Sequence, residues 1–139
     1  MPTSERIPEA ALDRFARPVL AHLATLMPDG SPQVTPIWIG DADGLLLVNT
    51  QRGRVKERNL AVGARVALDL VDPDAPFRYL AVQGEVVAAT EEGAAAHSDA
   101  LSLRYLGTPY PRHDPRRPRR LCKIRPTRVV YQERIGQAG

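Results

Sequence analysis

Apolar stretches separated by short turns rich in proline and glycine run along most of the chain. Runs of this length, joined by turns that suit hairpins, are typical of antiparallel β-strands. Because few helices interrupt them, we expect a mainly β protein, a six-stranded antiparallel barrel. The first strand is apolar at nearly every position, so both of its faces are expected to be covered. The predicted strands are residues 19–27, 33–39, 45–50, 64–71, 77–90 and 121–132.

Three short helices and one long loop are expected between the strands. Residues 107–118 contain four prolines and are predicted to form an extended loop. Gly84, in the middle of the fifth strand, indicates a bulge or a close approach of two backbones. We expect a single domain over residues 1–139, with residues 1–8 and 133–139 as flexible ends. The predicted helices are residues 9–16, 54–62 and 91–106.

Composition places the chain among globular proteins that are not embedded in a membrane. Of its 139 residues, 43% are hydrophobic and 25% are charged. No stretch approaches the roughly 20 apolar residues needed to cross a bilayer, so no membrane partner is expected. The single Cys122 excludes an internal disulfide, which favours a reducing, cytoplasmic location. A lone cysteine in a late strand is expected to be a small buried residue and not a nucleophile.

The segment from residue 45 to residue 60 carries its charges in an unusual order. An apolar strand leads through a glycine-containing turn into a short helix that begins with Arg54, Lys56 and Arg58. Cations are mildly unfavourable at a helix N-terminus, which carries partial positive charge. The order suits a bound anion, around which the cations and free backbone N–H groups would close. The alternative is a solvated basic helix face.

A basic block lies at residues 112–128. It holds eight cations and one acid, a net charge of +7, so the rest of the chain carries −4. This asymmetry predicts a local anionic partner. The block is rich in proline and poor in aromatic residues, so nucleic-acid binding by base stacking is not expected. A solvated strand and loop is the alternative.

Three consecutive motifs resemble the flavin-binding split-barrel superfamily named after pyridoxamine phosphate oxidase. They are Leu-Ala-Thr-Leu-x-Pro-Asp-Gly-Ser-Pro-Gln-Val at 23–34, Thr-Pro-Ile-Trp at 35–38 and Arg-Gly-Arg-Val-Lys-x-x-Asn-Leu at 52–60. The proline-rich loop and basic strand at 110–129 are similar to the branch of F420-dependent enzymes. The resemblance covers residues 19–131 and implies a split β-barrel.

The resemblance also implies a cofactor site. In this superfamily the cofactor phosphate lies at the third strand and the start of the following helix, where this chain has Asn49, Thr50, Arg54 and Lys56. Hydroxyl, amide, guanidinium and ammonium groups are the donors that a phosphate needs.

The cofactor ring is implied to lie along the second strand. Pro36 cannot donate to a sheet, so it marks an edge or an interruption. Backbone groups of Gln33, Val34 and Thr35 would then be free to bond a pyrimidine edge. Trp38 is either the main core anchor or a ring-stacking residue.

Three functions follow from this resemblance. The first is an oxidoreductase that transfers hydride between coenzyme F420 and a small organic substrate. The second is an FMN-dependent oxidase or reductase, and the third is a non-catalytic protein that binds a flavin, a deazaflavin or haem. The basic block favours coenzyme F420, because its anionic oligoglutamyl tail offers those arginines a partner. No catalytic side chain is assigned, and the spacing of His22, His97 and His113 indicates no metal site.

The barrel is also predicted to form a homodimer. A small barrel whose strands are apolar on both faces needs a partner to cover the outer one. Light scattering at micromolar concentration should therefore give twice the mass of the chain. A monomer would contradict the prediction.

Overall fold

The computed structural model describes residues 4–135, which form seven antiparallel strands and three short helices. The prediction of a mainly β fold is confirmed. In chain order the elements are α1 (Glu9–Arg14), β1 (Ala21–Leu26), β2 (Pro32–Ile37), β3 (Gly40–Ala42), β4 (Leu45–Gln51), α2 (Val55–Asn59), β5 (Arg65–Val71), β6 (Tyr79–Thr90), α3 (Ala94–Leu106) and β7 (Arg119–Gln132).

The predicted second strand divides into two strands, which is why the sheet has seven strands and not six. The strands lie in the order β2-β1-β5-β6-β7-β4-β3, so β2 and β3 are the two edges of one sheet. Only Trp38 and Ile39 separate them along the chain. Ile37 at the end of β2 and Gly40 at the start of β3 are three peptide units apart, so their Cα atoms lie at most about 11 Å from each other. The two edges must therefore meet, and the sheet closes into a split barrel.

The barrel interior is filled by every second residue of its strands. In β1, Ala21, Leu23 and Thr25 are buried, whereas His22 and Leu26 are exposed. The expectation that both faces of this strand are covered is therefore wrong for the single chain. Side chains alternate across a strand, so an apolar sequence alone does not show what covers the second face.

The predicted irregularity at Gly84 is confirmed. The register between β6 and β7 shifts between Gln83 and Gly84. A Cβ atom at Gly84 would lie 2.6 Å from Cγ2 of Ile124 and 2.9 Å from the carbonyl oxygen of Arg125. Glycine is needed here because two backbones approach closely, not because of a left-handed conformation.

The helices pack against the outside and the ends of the sheet. Helix α1 buries Ala11, whereas Leu12 is only partly covered. Helix α2 has five residues and is shorter than predicted. Helix α3 contacts β4 and β7 and ends at Gly107, which has a left-handed φ of 82°.

The chain ends are described only in part. Ser4 exchanges two backbone hydrogen bonds with Val129, and residues 1–3 and 136–139 of the predicted flexible ends lie outside the described residues. Among residues 4–135, no helix is long and apolar enough to span a membrane.

Replacing Gly84 with alanine should destabilise the barrel. The new methyl group overlaps Ile124 and the Arg125 backbone, so we expect a loss of about 1–3 kcal/mol in the free energy of unfolding. Chemical denaturation followed by circular dichroism measures this loss. Gln83→Ala is the control, since Gln83 is exposed and adjacent, and its change should stay within about 0.5 kcal/mol. Equal stability of Gly84→Ala and the wild type would contradict the close approach.

Candidate functional site

A cavity of about 250 Å³ lies beside the seam where β2 leads into β3. Its wall combines the seam, β4, the start of α2, α3, the proline-rich loop and β7. The barrel closure brings these distant parts of the sequence together. The lining residues are Leu20, Pro36, Ile37, Trp38, Asn49, Arg54, Lys56, Ser98, Leu101, Tyr110 and Arg119.

Three cations, Arg54, Lys56 and Arg119, line this cavity, and within residues 4–135 none of them forms an ion pair with an acid. Burial lowers the pKa of Lys56, and the charges of Arg54 and Arg119 lower it further. Burial and Arg54 likewise lower the pKa of Arg119. Uncompensated positive charge in a partly buried cavity favours an anionic ligand.

Two contacts fix the Arg119 guanidinium at the cavity wall. Its Nε–H donates to Oδ1 of the buried Asn49, with a distance of 2.7 Å. Its central carbon lies 5.0 Å from the ring centroid of Tyr110, within the range of a cation–π contact. The guanidinium is thus oriented by the protein itself, although no acid among the described residues forms an ion pair with it.

The proline-rich loop is anchored to α3 through one carboxylate. Oδ1 of Asp99 accepts the backbone N–H of Tyr110 at 2.9 Å and lies 2.8 Å from Nε2 of His113. These two contacts, with His113 the larger cause, lower the pKa of Asp99. The anchor holds the Tyr110 ring at the cavity, while His113 does not line it.

Trp38 lies at the seam and is only partly buried. Its ring stacks on Tyr105 of α3, with centroids 5.3 Å apart and an interplanar angle of 14°. The Tyr105 hydroxyl donates to the carbonyl of Val19 at 2.6 Å and accepts the N–H of Ile39 at 3.3 Å. Trp38 is thus outside the buried core and forms part of the cavity wall.

The structure brings together five of the nine residues predicted to bind the cofactor. Thr50 is 1% exposed and faces the barrel interior, because it alternates with Asn49 across β4. The contacts of all nine with a cofactor stay a prediction. Pro36, Trp38, Asn49, Arg54 and Lys56 line the cavity, and Gln33, Val34, Thr35 and Thr50 do not.

The anion hypothesis at α2 needs a correction in its details. The N–H of Gly53 donates to Oε1 of Glu57 at 3.0 Å, so this backbone donor is already used. A helix of five residues also has only a small dipole. The positive charge at the cavity therefore comes mainly from the side chains of Arg54, Lys56 and Arg119.

Sequence reasoning missed Tyr110 and did not separate Arg119 from its neighbours. The basic block divides among several environments. Arg120 lies 3.7 Å from Glu57 and donates to the Ala89 carbonyl, whereas Arg116 pairs with Asp114 at 3.5 Å. The basic block is therefore not one continuous surface of unpaired cations. Successive side chains of β7 face opposite sides of the strand, so the sequence could have predicted that the block divides.

In the described part of the chain, the metal-ligating side chains and the thiol of Cys122 do not form a second candidate site. Among residues 4–135, no three His, Cys, Asp or Glu side chains converge as metal ligands. Burial raises the pKa of Cys122 to about 11, which keeps the thiol protonated at neutral pH. The prediction that Cys122 is a buried packing residue is confirmed.

The chain belongs to the pyridoxamine 5'-phosphate oxidase family, whose sequence model matches residues 7–133. This family is part of the superfamily of flavin-binding split barrels, which includes oxidoreductases. The fold and the family together confirm the resemblance seen in the sequence motifs.

Solved structures support the same assignment. An F420 reductase is 32% identical, with a TM-score of 0.78 over 91% of this chain and 100% of that chain. A conserved hypothetical protein from Mycobacterium tuberculosis is 25% identical, with a TM-score of 0.68 over 94% and 88%. A FAD- and haem-binding protein from Mycobacterium smegmatis, at 19% identity and a TM-score of 0.67 over 99% and 82%, shows the fold alone. A comparison with curated proteins finds no significant match.

Proposed function

We propose that this protein is an oxidoreductase that transfers hydride between coenzyme F420 and a small organic substrate. The observation that carries the proposal is the set of three cations around one cavity, Arg54, Lys56 and Arg119, for which the described part of the chain supplies no acidic partner. Burial, and after it the repulsion among these cations, lowers the pKa values of Lys56 and Arg119, and an anionic cofactor would offset both effects. The 32% identity to an F420 reductase supports this cofactor over others.

The donors present at the cavity fit a phosphate group. A guanidinium gives directed N–H donors, and the Lys56 ammonium gives a compact charge. Arg119 is held by Asn49 and Tyr110, so little side-chain freedom would be lost on binding. We propose that these side chains hold the cofactor phosphate.

When bound, the deazaflavin supplies the hydride chemistry, and the protein supplies position and shape. Among the strands that the structure describes, β2 pairs only with β1, so its other edge offers backbone groups at residues 33–35 for the ring. Pro36 and Trp38 form the adjoining wall beside the seam. The chain would thus orient the ring between an open strand edge and an aromatic wall.

FMN is the second candidate, because the same three cations also fit its phosphate. Yellow protein after purification, with FMN released on denaturation, would favour this reading. A haem- or flavin-binding protein without activity is the third, and the 19% identical structure that binds FAD and haem supports only its fold. Mixing the protein with reduced deazaflavin and candidate acceptors distinguishes binding from turnover.

We also propose that the protein acts as a cytoplasmic homodimer. The outer face of the sheet exposes Leu26 by 50% and Val34 by 62%. A groove of about 430 Å³ on this face is lined by β1, β5, β6 and β7. A second copy would cover this apolar surface. The free, buried Cys122 is compatible with a reducing compartment.

Lys56→Ala should weaken cofactor binding without unfolding the protein. Loss of one charge-assisted contact costs about 1.5–3 kcal/mol, or roughly tenfold to a hundredfold in affinity. Fluorescence titration with coenzyme F420 measures it. The only other lysine, Lys123, lies on β7 away from the cavity lining, so Lys123→Ala is the matched control. Unchanged affinity in Lys56→Ala would place the phosphate elsewhere.

The exposed arginines of the proline-rich loop should bind the oligoglutamyl tail. Arg112 and Arg117 are exposed, and no ion pair holds them within residues 4–135. We expect the affinity of the wild type to rise with tail length and to fall with salt. In a double variant, Arg112→Gln and Arg117→Gln, the ratio of the affinities for long- and short-tailed deazaflavin should fall by about two- to tenfold. Titrations of long- and short-tailed deazaflavins at two salt concentrations test this.

Arg125 provides the control for the tail experiment, because it lies outside the loop and pairs with Glu85 at 3.2 Å. Arg125→Gln should keep the tail dependence. FMN, which has no tail, should show a weaker dependence on salt. Equal affinities for long and short tails at low salt would contradict the assignment and leave the phosphate site at Lys56 untouched.

A further inference from the structure

The Asn49 side chain links the cationic cavity to a histidine behind it. Its Oδ1 accepts the Nε–H of Arg119 at 2.7 Å, and its Nδ2 donates to the Ala94 carbonyl at 2.8 Å. Nδ2 also lies 3.0 Å from Nδ1 of His97. A flipped amide would place oxygen against the Ala94 carbonyl and NH₂ against Arg119. The amide orientation is therefore determined by its neighbours.

This arrangement also fixes the protonation of His97. Both hydrogens of the Asn49 amide are donated, so Nδ1 of His97 must accept, and the ring proton of the neutral form lies on Nε2. Nε2 is buried and has no hydrogen-bond partner within residues 4–135. A Cβ atom at Gly40 would lie 3.4 Å from it. His97 thus lies behind the cavity, which it does not line.

We propose that His97, as the neutral Nε2–H tautomer, is a positioning residue that holds Arg119 in the anion site through the Asn49 amide. The proposal rests on the proposed function only in taking the cavity as a site for an anion. Without an acceptor at Nδ1, one amide hydrogen of Asn49 would lose its buried partner. The amide could then rotate and release Arg119.

The charges around His97 favour the neutral form. Burial lowers its pKa, and Arg104 of α3 and Arg119 of β7 lower it further. The contacts from β3 and β4 are Gly40 and Asn49, and neither titrates. A proton on Nδ1 would face the NH₂ group of Asn49, donor against donor. The hydrogen bond from Asn49 and the positive charges of Arg104 and Arg119 thus both disfavour protonation of Nδ1 of His97.

Nitrogen-15 NMR of the histidine rings tests the tautomer directly. Variants His22→Gln and His113→Gln assign the three ring systems, since neither residue lines the cavity. At pH 7.5 the His97 signals should show a proton on Nε2 and a bare Nδ1. A proton on Nδ1 would overturn the proposal.

Sulfate is the probe for the positioning role, because it stays a dianion across the working pH range. His97→Leu removes the acceptor at similar volume and should weaken sulfate binding about two- to tenfold. The His97→Leu substitution should also shift the NMR signal of the Arg119 Nε–H group. His97→Asn places an amide oxygen at the distance of Nδ1 from Cβ, so it should restore affinity to within about twofold of the wild type. Arg119→Lys assigns the arginine signal.

His22→Leu is the matched control, because this exposed histidine contacts Asp69 of β5 and neither lines the cavity nor touches Asn49, Tyr110 or their anchor. It should leave the sulfate affinity and the Arg119 signal unchanged. Wild-type sulfate affinity in His97→Leu would overturn the positioning role. If that variant does not fold, a loss of affinity in His97→Asn overturns it instead. Failure of the proposed function has a different signature: wild-type protein that binds sulfate, shows the Nε2–H tautomer and does not bind deazaflavin.

Discussion

The passage of one chain segment from one edge of the sheet to the other is the constraint on which the rest of the structure depends. Between β2 and β3 only Trp38 and Ile39 are available, so the edges meet and the barrel closes. Within residues 4–135, β2 pairs only with β1, so its outer edge is open at residues 33–35. Trp38, at the seam, lines the same cavity as Asn49 of β4. The cavity lies at this seam, where closure brings together elements that are distant in sequence.

The cavity wall carries positive charge that no acidic side chain among the described residues neutralises. Arg119 is oriented by an amide and an aromatic ring, and Lys56 has only cations as charged neighbours that face the cavity. By contrast, Arg17 pairs with both Asp72 and Asp74. The lowered pKa values of Lys56 and Arg119 indicate a cost in the free protein. An anion that binds at the cavity would offset this cost.

The sequence predicted most of the strands, and it predicted that Arg54 and Lys56 lie close together, because alternation, turns and the motif at 52–60 are local signals. It could not predict the division of the second strand, since the break at Trp38 follows from barrel closure and not from local propensity. Thr50 and Asn49 share the predicted site in the sequence, but adjacent residues of a strand face opposite sides. Tyr110 reaches the cavity only because Asp99 anchors the loop, a contact between residues 11 apart without a motif.

The position of the cofactor phosphate is the most direct measure of the central claim that the cationic cavity is the cofactor site. A crystal structure of the protein with coenzyme F420 bound would show it. We expect the phosphate oxygens within about 3 Å of Lys56 Nζ and of the Arg119 guanidinium, at the distance of charge-assisted hydrogen bonds. A phosphate bound in the outer groove of the sheet, with the seam cavity empty, would show that the cationic cavity is not the cofactor site.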